Sequence, residues 1–233
     1  MGAPSDGAAR SEAPAAFLRA WLGEWPAAPG AAVTVVGHEA RGWLGWDGAV
    51  HDVVGVASPT GAVVSVRPEV APAVRAVAGA WTDLPRVLPA AVGRPDAPAF
   101  IGHFRWCVVP TDLPDVGAWV PVGDPRLPDW LRPFGGEALV VLDGDRYAAG
   151  VGLKRHNAYG MEIAVGTDPA YRGRGLAARL CAQAARTIIA AGAFPIYLHD
   201  PANIASARTA DAAGFPYLGW QVLGMPAMPA EPD

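Results

Sequence analysis

An α/β (α+β) chain built on a mixed central sheet is predicted by three features of the second half of the sequence. Two apolar runs, Glu137 to Leu142 and Arg146 to Leu153, flank Asp143-Gly144, a dipeptide suited to a tight hairpin turn. A third run, Tyr159 to Val165, leads through a glycine loop into a helix with Leu176, Leu180, Ala184, Ile188 and Ala191 in register. Gly192 caps that helix and Pro195 prevents its continuation. A short strand (Phe194 to Leu198), a second helix (Ile204 to Ala213, ended by Gly214) and a last strand (Tyr217 to Leu223) follow. Strand, strand, strand, helix, strand, helix, strand is the order of a sheet layered with helices.

The first half carries similar elements with weaker punctuation. Ser11 is a candidate cap for a helix whose stripe is Phe17, Leu18, Trp21, Leu22 and Trp25, stopped by Pro26 and Gly30. Ala31 to His38 and Gly61 to Arg67 are expected strands, and the Gly- and Trp-rich stretch between them is expected to be a further strand. Val70, Val74, Val77 and Trp81 have helical spacing, a further helix is expected near Leu84 to Val92, and Ile101 to Val109 alternates as a strand does. Repeated Pro, Gly and Asp make Pro110 to Pro128 the best linker candidate. The expected division is therefore an N-terminal α/β region, residues 1–113, and a core, residues 114–233.

Composition excludes several function classes. A net charge of -4 lacks the basic face that nucleic-acid binding needs. No stretch approaches eighteen uninterrupted apolar residues, and residues 1–10 contain no signal-like apolar run, so a cytoplasmic protein without a membrane partner is expected. Cys107 and Cys181 match no metal spacing and are expected to be two buried thiols, with no metal ligand set in the chain.

The segment Thr167-Asp168-Pro169-Ala170-Tyr171-Arg172-Gly173-Arg174-Gly175-Leu176-Ala177 carries the most chemistry. It joins an apolar strand to an amphipathic helix. Gly173 and Gly175 let the backbone turn with its N–H groups converging, unobstructed by a Cβ. The helix N-terminus adds its positive dipole end, and Arg172 and Arg174 add cationic donors. A diphosphate suits this loop. Gly173, Gly175 and Ala178 also satisfy the dinucleotide pattern G-x-G-x-x-G/A, but Thr167 to Arg172 separate them from the strand and the preceding strands form a hairpin.

The loop resembles the Q/R-x-x-G-x-G/A signature of the GNAT superfamily of N-acetyltransferases, matched by Arg172, Gly175 and Ala177. Asn203, Ser206, Gly214 and Phe215 are similar to the family's Asn-led helix closing in Gly-Phe, and the likeness runs from about Glu137 to Gln221. The resemblance implies a GNAT-type core in the C-terminal half and acetyl-CoA as co-substrate. It implies that Val165, Gly166 and Thr167 pair with the pantetheine arm, that the backbone of Arg172, Gly173, Arg174, Gly175, Leu176 and Ala177 holds the pyrophosphate, and that Asn203 approaches the cofactor. The implied reaction is direct attack by a primary amine of a small molecule or peptide on the thioester. A protonated amine must lose its proton, so a base is needed. Glu162, on the strand leading to the loop, is the candidate; it stands one position beyond the family's usual glutamate, where this chain has Met161, and one residue in a strand changes the face. The family's acid, a tyrosine, falls on Ala210 here, which leaves His199, Tyr159, Tyr171 and Tyr217 as substitutes. The alternative reading is a CoA-binding regulatory module without turnover. Monomer and homodimer are both left open.

Overall fold

A computed structural model describes residues 14–228. In chain order its strands are β1 Thr34–Gly37, β2 Val53–Ser58, β3 Gly61–Val66, β4 Phe100–Trp106, β5 Ala118–Pro121, β6 Glu137–Asp143, β7 Arg146–Asn157, β8 Gly160–Thr167, β9 Phe194–His199 and β10 Gln221–Gly224. Its α-helices are α1 Ala15–Leu22, α2 Ala71–Val77, α3 Leu84–Ala91, α4 Leu176–Ala190 and α5 Ile204–Ala213. The α/β class and mixed pairing are as expected. Ser11 lies outside the described residues; α1 is described from Ala15, with Phe17, Leu18, Trp21 and Leu22 buried on one stripe.

The chain divides into two compact units: one runs through Phe104 and takes in the chain from Leu218 onward, the other is Arg105–Tyr217. In the first, β1 pairs parallel with β3, and β3, β2, β10 and β4 continue antiparallel. Val64, Val66, Val74, Leu84 and Leu88 form its core, because α2 and α3 each turn one apolar stripe to the sheet. Of the stretch expected as a strand between β1 and β3, Val53–Ser58 forms β2, and the Gly- and Trp-rich residues before it do not form a strand. Glu39–Gly42 is a 3-10 turn, and the exposed Leu44 makes only an isolated bridge to Val50.

In the second unit, β5 to β8 pair antiparallel in sequence order and β9 joins β8 in parallel. Gly144 takes a φ of 61° at the β6–β7 turn, the left-handed conformation that Asp-Gly favours. Met161 and Ile163 of β8 and Val151 of β7 face Leu180, Ala184 and Ile188 of α4, with Ala210 and Ala213 of α5 in the same cluster. The alternate residues of β7 and β8 face the other way, where Phe134 closes on Gly152 and Trp130 on Gly166.

The expected linker is not one. Within Pro110–Pro128 lies β5, paired with β6, and the residues before it are strung along the polar side of α4. Gln183 accepts from Val116 and Gly117 and donates to the Gly117 carbonyl at 3.0 Å. Arg186 donates to the carbonyls of Thr111 and Leu113, and Arg179 to that of Pro114. These partners are backbone groups, so no composition signal announces them.

Upstream of residue 114 the second unit depends on the end of β4. Buried Arg105 bonds Asp211 and donates to the Phe215 carbonyl at 3.0 Å, and Cys107 joins the α4 core. A fragment of residues 114–233 lacks these groups, leaving Phe215 and Asp211 without their cation. It is expected to be poorly soluble, or to bind cofactor without turnover; a soluble, monomeric fragment as active as the intact chain would contradict this.

Candidate active site

The glycine loop is anchored before it turns. Asp168 Oδ1 accepts from the Ala170 amide at 2.9 Å and holds the short turn Pro169–Tyr171. The Tyr171 hydroxyl donates to Asp143 Oδ2 at 2.9 Å, and the Arg174 guanidinium lies 4.9 Å above the Tyr171 ring. Gly173 and Gly175 then adopt φ of 76° and 72°, a region that costs a side-chain-bearing residue about 1–2 kcal/mol. Space does not demand glycine there, since a Cβ at either position would meet nothing within 4 Å. The backbone turn does. α4 starts immediately after Gly175 with no side-chain cap, so its first-turn amides are left for another acceptor.

Those amides open into a cavity of about 750 Å³. The structure brings Val165, Gly166, Thr167, Arg172, Gly173, Arg174, Gly175, Leu176, Ala177 and Asn203 together on its wall. Gly166 is fixed from behind. Its carbonyl accepts from the Tyr147 hydroxyl at 3.0 Å, and a Cβ there would lie 2.8 Å from the Trp130 ring.

Next to the cavity the sheet comes apart. β8 pairs with β9 only from Gly160↔Phe194 to Glu162↔Ile196, yet β8 runs on to Thr167 and β9 to His199. The β9-facing edge of the last β8 residues is therefore not used by β9. An extended ligand can add to such an edge as another strand would. Three arginines and no carboxylate line the cavity, in a chain of net charge -4. A diphosphate fits this donor set, with backbone amides, a helix N-terminus and cations converging.

Asn203 has a structural task as well. Its Oδ1 accepts from the Ser206 amide at 3.0 Å, which makes it the N-cap of α5. Asn203→Ala should cost about 1 kcal/mol of stability, read as a lower urea midpoint at unchanged slope. An unshifted midpoint would contradict the cap.

Glu162 and His199 do not line the cavity. Glu162 is the last β8 residue paired with β9, on the face opposite Met161 and Ile163. Its two oxygens are engaged: Lys154 Nζ donates to Oε1 at 2.6 Å and His156 Nε2 to Oε2 at 2.8 Å. A bulge between Arg155 and Asn157 inserts His156 as an extra residue and turns its imidazole to the carboxylate. Burial by itself would raise the Glu162 pKa; the His156 hydrogen bond and the charges of Lys154 and His156 outweigh it and hold it below the ordinary value. His199 is buried, and its Nδ1 donates to the Asp200 carbonyl at 2.8 Å. Ala210 is fully buried in the core. Tyr171 reaches the cavity with its hydroxyl committed to Asp143, while Tyr159 and Tyr217 are exposed and outside the wall.

Tyr197 and Arg208 are among the lining residues that the sequence does not single out. Tyr197 of β9 reaches the cavity and shares a 2.8 Å hydrogen bond with the Ser206 hydroxyl; burial, then the Cys181 thiol beside it, pushes its pKa up. Nothing in a short apolar strand marks such a tyrosine. Arg208 lies on the α5 face that also carries Ala205, Thr209 and Ala212, and helical periodicity counted from Asn203 would have reached it. Cys107 and Cys181 are free and buried, and burial pushes the Cys107 thiol up to about 12. Among the described residues no group of three or more His, Cys, Asp or Glu could hold a metal, and no helix is long and apolar enough to cross a membrane.

No curated protein matches the chain. Among solved structures it is similar to an acetyltransferase of the GNAT family from Colwellia psychrerythraea, at 12% identity and a TM-score of 0.44, over 60% of this chain and 61% of that one. It is also similar to a GCN5-related N-acetyltransferase-like protein from Streptococcus suis 89/1591, at 18% identity and a TM-score of 0.42, over 64% of this chain and 69% of that one. The chain thus spans less than two thirds of the Colwellia protein. Residues 106–215 match the family described as Acetyltransferase (GNAT) family. They take in β8, the glycine loop, α4, β9 and α5, which is every element around the cavity. Residues 106–215 of this chain belong to the GNAT family of acetyltransferases, a family of acyltransferases.

Proposed function

We propose that the chain is an acetyl-CoA-dependent N-acetyltransferase acting on a primary amine of a small molecule or peptide. The observation that carries this reading is the juxtaposition of the left-handed Gly173 and Gly175 at the α4 N-terminus with the free edge of β8 where it leaves β9. Bound acetyl-CoA supplies an acyl group already activated as a thioester. The amides of residues 173–177 and the Arg172 guanidinium hold the diphosphate, and Val165, Gly166 and Thr167 hold the pantetheine arm as a neighbouring strand would. Asn203 keeps α5 in place as the opposite wall. Glu162 stands at the point where the strands part, and we assign it the removal of the amine proton. Its ionised state at neutral pH suits a base, and the hydrogen bonds from Lys154 and His156 keep it in place.

One observation favours a second reading, a CoA-binding regulatory module without turnover. Both Glu162 oxygens are already engaged, and Ala210 offers no hydroxyl at the family's tyrosine position. Release of CoA thiol separates the two. With acetyl-CoA and a panel of small primary amines and peptides, the enzyme reading expects amine-dependent thiol release and an acetylated product by mass. Acetyl-CoA binding without amine-dependent release would establish the module instead.

A further inference from the structure

Beyond the Glu162↔Ile196 pair, β8 is held by β7 on one edge and by no residue of β9 on the other. The residues that face away from α4 along this stretch are small. Ala164 stands opposite Gly152, and Gly166 opposite Gly150. Contacts between side chains on neighbouring strands normally stiffen a ladder, and two glycines facing each other make none. By itself such a stretch is pliable. Its outer edge, however, has to stay extended if a ligand is to add to it as a strand does.

Aromatic rings laid directly on the backbone supply the missing stiffness. The 3-10 turn Asp129–Phe134, anchored by the fully buried Leu131, seats Phe134 on Gly152 and Trp130 on Gly166. A Cβ on Gly166 would stand 2.8 Å from the Trp130 ring, so the glycine is what lets the ring rest there. The two rings meet edge to face, with centroids 5.9 Å apart. Tyr147 of β7 completes the set. Its ring lies 3.1 Å from where a Cβ on Gly150 would stand, and its hydroxyl donates to the Gly166 carbonyl at 3.0 Å. Burial pushes the Tyr147 pKa up, so this donor keeps its proton across the neutral range. None of the three rings lines the glycine-loop cavity. Their influence on a ligand there passes through the backbone of Gly166.

We infer that Tyr147 and Trp130 are positioning residues: through the Gly166 backbone they hold the Val165 to Thr167 edge in the extended form to which the pantetheine arm adds. This rests on the acetyl-CoA reading of the cavity. The test is calorimetric titration of the full chain, wild type and variants, with acetyl-CoA and with adenosine 3′-phosphate 5′-diphosphate, which keeps the diphosphate and lacks the arm. Wild type should bind acetyl-CoA more tightly. Tyr147→Phe removes the hydroxyl and keeps the ring on Gly150. It should weaken acetyl-CoA about fivefold, the net weight of one hydrogen bond, and leave the truncated ligand unchanged. Trp130→Ala, at an exposed turn position, should show the same selective loss. A purely structural role would lower the urea midpoint and keep the ratio of the two affinities at its wild-type value. An unchanged ratio in either folded variant would overturn the inference. Equal wild-type affinities for the two ligands would remove the arm from the β8 edge, so the cofactor reading of that edge would fall first and this inference with it.

Discussion

Gly175→Asp should weaken acetyl-CoA binding by at least roughly 10²-fold in a protein that remains folded. Two effects act together. A carboxylate about 4 Å from a phosphate is repelled by about 4 kcal/mol where screening is partial, and the left-handed φ of 72° is less favourable with any side chain present. Helix formation works in the opposite direction. The Asp charge suits the N-terminal end of α4, which offsets part of the backbone cost and lets the helix still form. Gly175→Ala keeps the backbone cost and omits the charge, and its affinity should fall between wild type and Gly175→Asp. Calorimetry on the three proteins, with circular dichroism to establish folding, checks the order. A folded Gly175→Asp protein with wild-type affinity would remove the diphosphate from this loop.

Glu162→Gln should lower turnover by roughly 10²-fold or more and leave acetyl-CoA affinity unchanged. The amide keeps the size of the side chain and cannot accept the amine's proton. It also leaves Lys154 and His156 without their anion, which should cost on the order of 1–3 kcal/mol of stability. That cost has its own pH signature. The folded-state pKa of Glu162 lies below the ordinary carboxylate value, so its contribution is fully present above the unfolded-state pKa and is lost as pH falls through the folded one. The stability gap between wild type and Glu162→Gln should therefore be complete at neutral pH and close below the ordinary carboxylate range. Turnover equal to wild type across the pH range, with the stability gap intact, would leave Glu162 as a structural ion-pair member only.

Much of the second unit could be read from the sequence because its signals are local. Asp143-Gly144 specifies a turn whatever surrounds it, and the spacing from Leu176 to Ile188 repeats one helical face. The glycine loop was legible because the left-handed turns at Gly173 and Gly175 demand that residue type. Interactions formed over long separations left no such trace. Arg105 reaches Phe215 across 110 positions, and Arg186 reaches Thr111 and Leu113 across more than 70, so a Pro- and Gly-rich stretch read as a linker is a tethered part of the core. The bulge at His156 is a third case: alternation along β7 places side chains correctly up to Arg155, and one extra residue then delivers an imidazole to Glu162. Asn203 had a readable signal that was attributed only to ligand contact, since Asn ahead of a helix is first of all a cap.

A crystal structure of the full chain with CoA bound tests the central claim most directly. The account predicts the diphosphate within hydrogen-bond distance of the amides between Gly173 and Ala177. It further predicts the pantetheine arm along Val165 to Thr167, with its thiol directed to the opening that begins beyond the Glu162↔Ile196 pair. CoA bound with its diphosphate away from the α4 N-terminus, or with its thiol remote from the parting of β8 and β9, would contradict it.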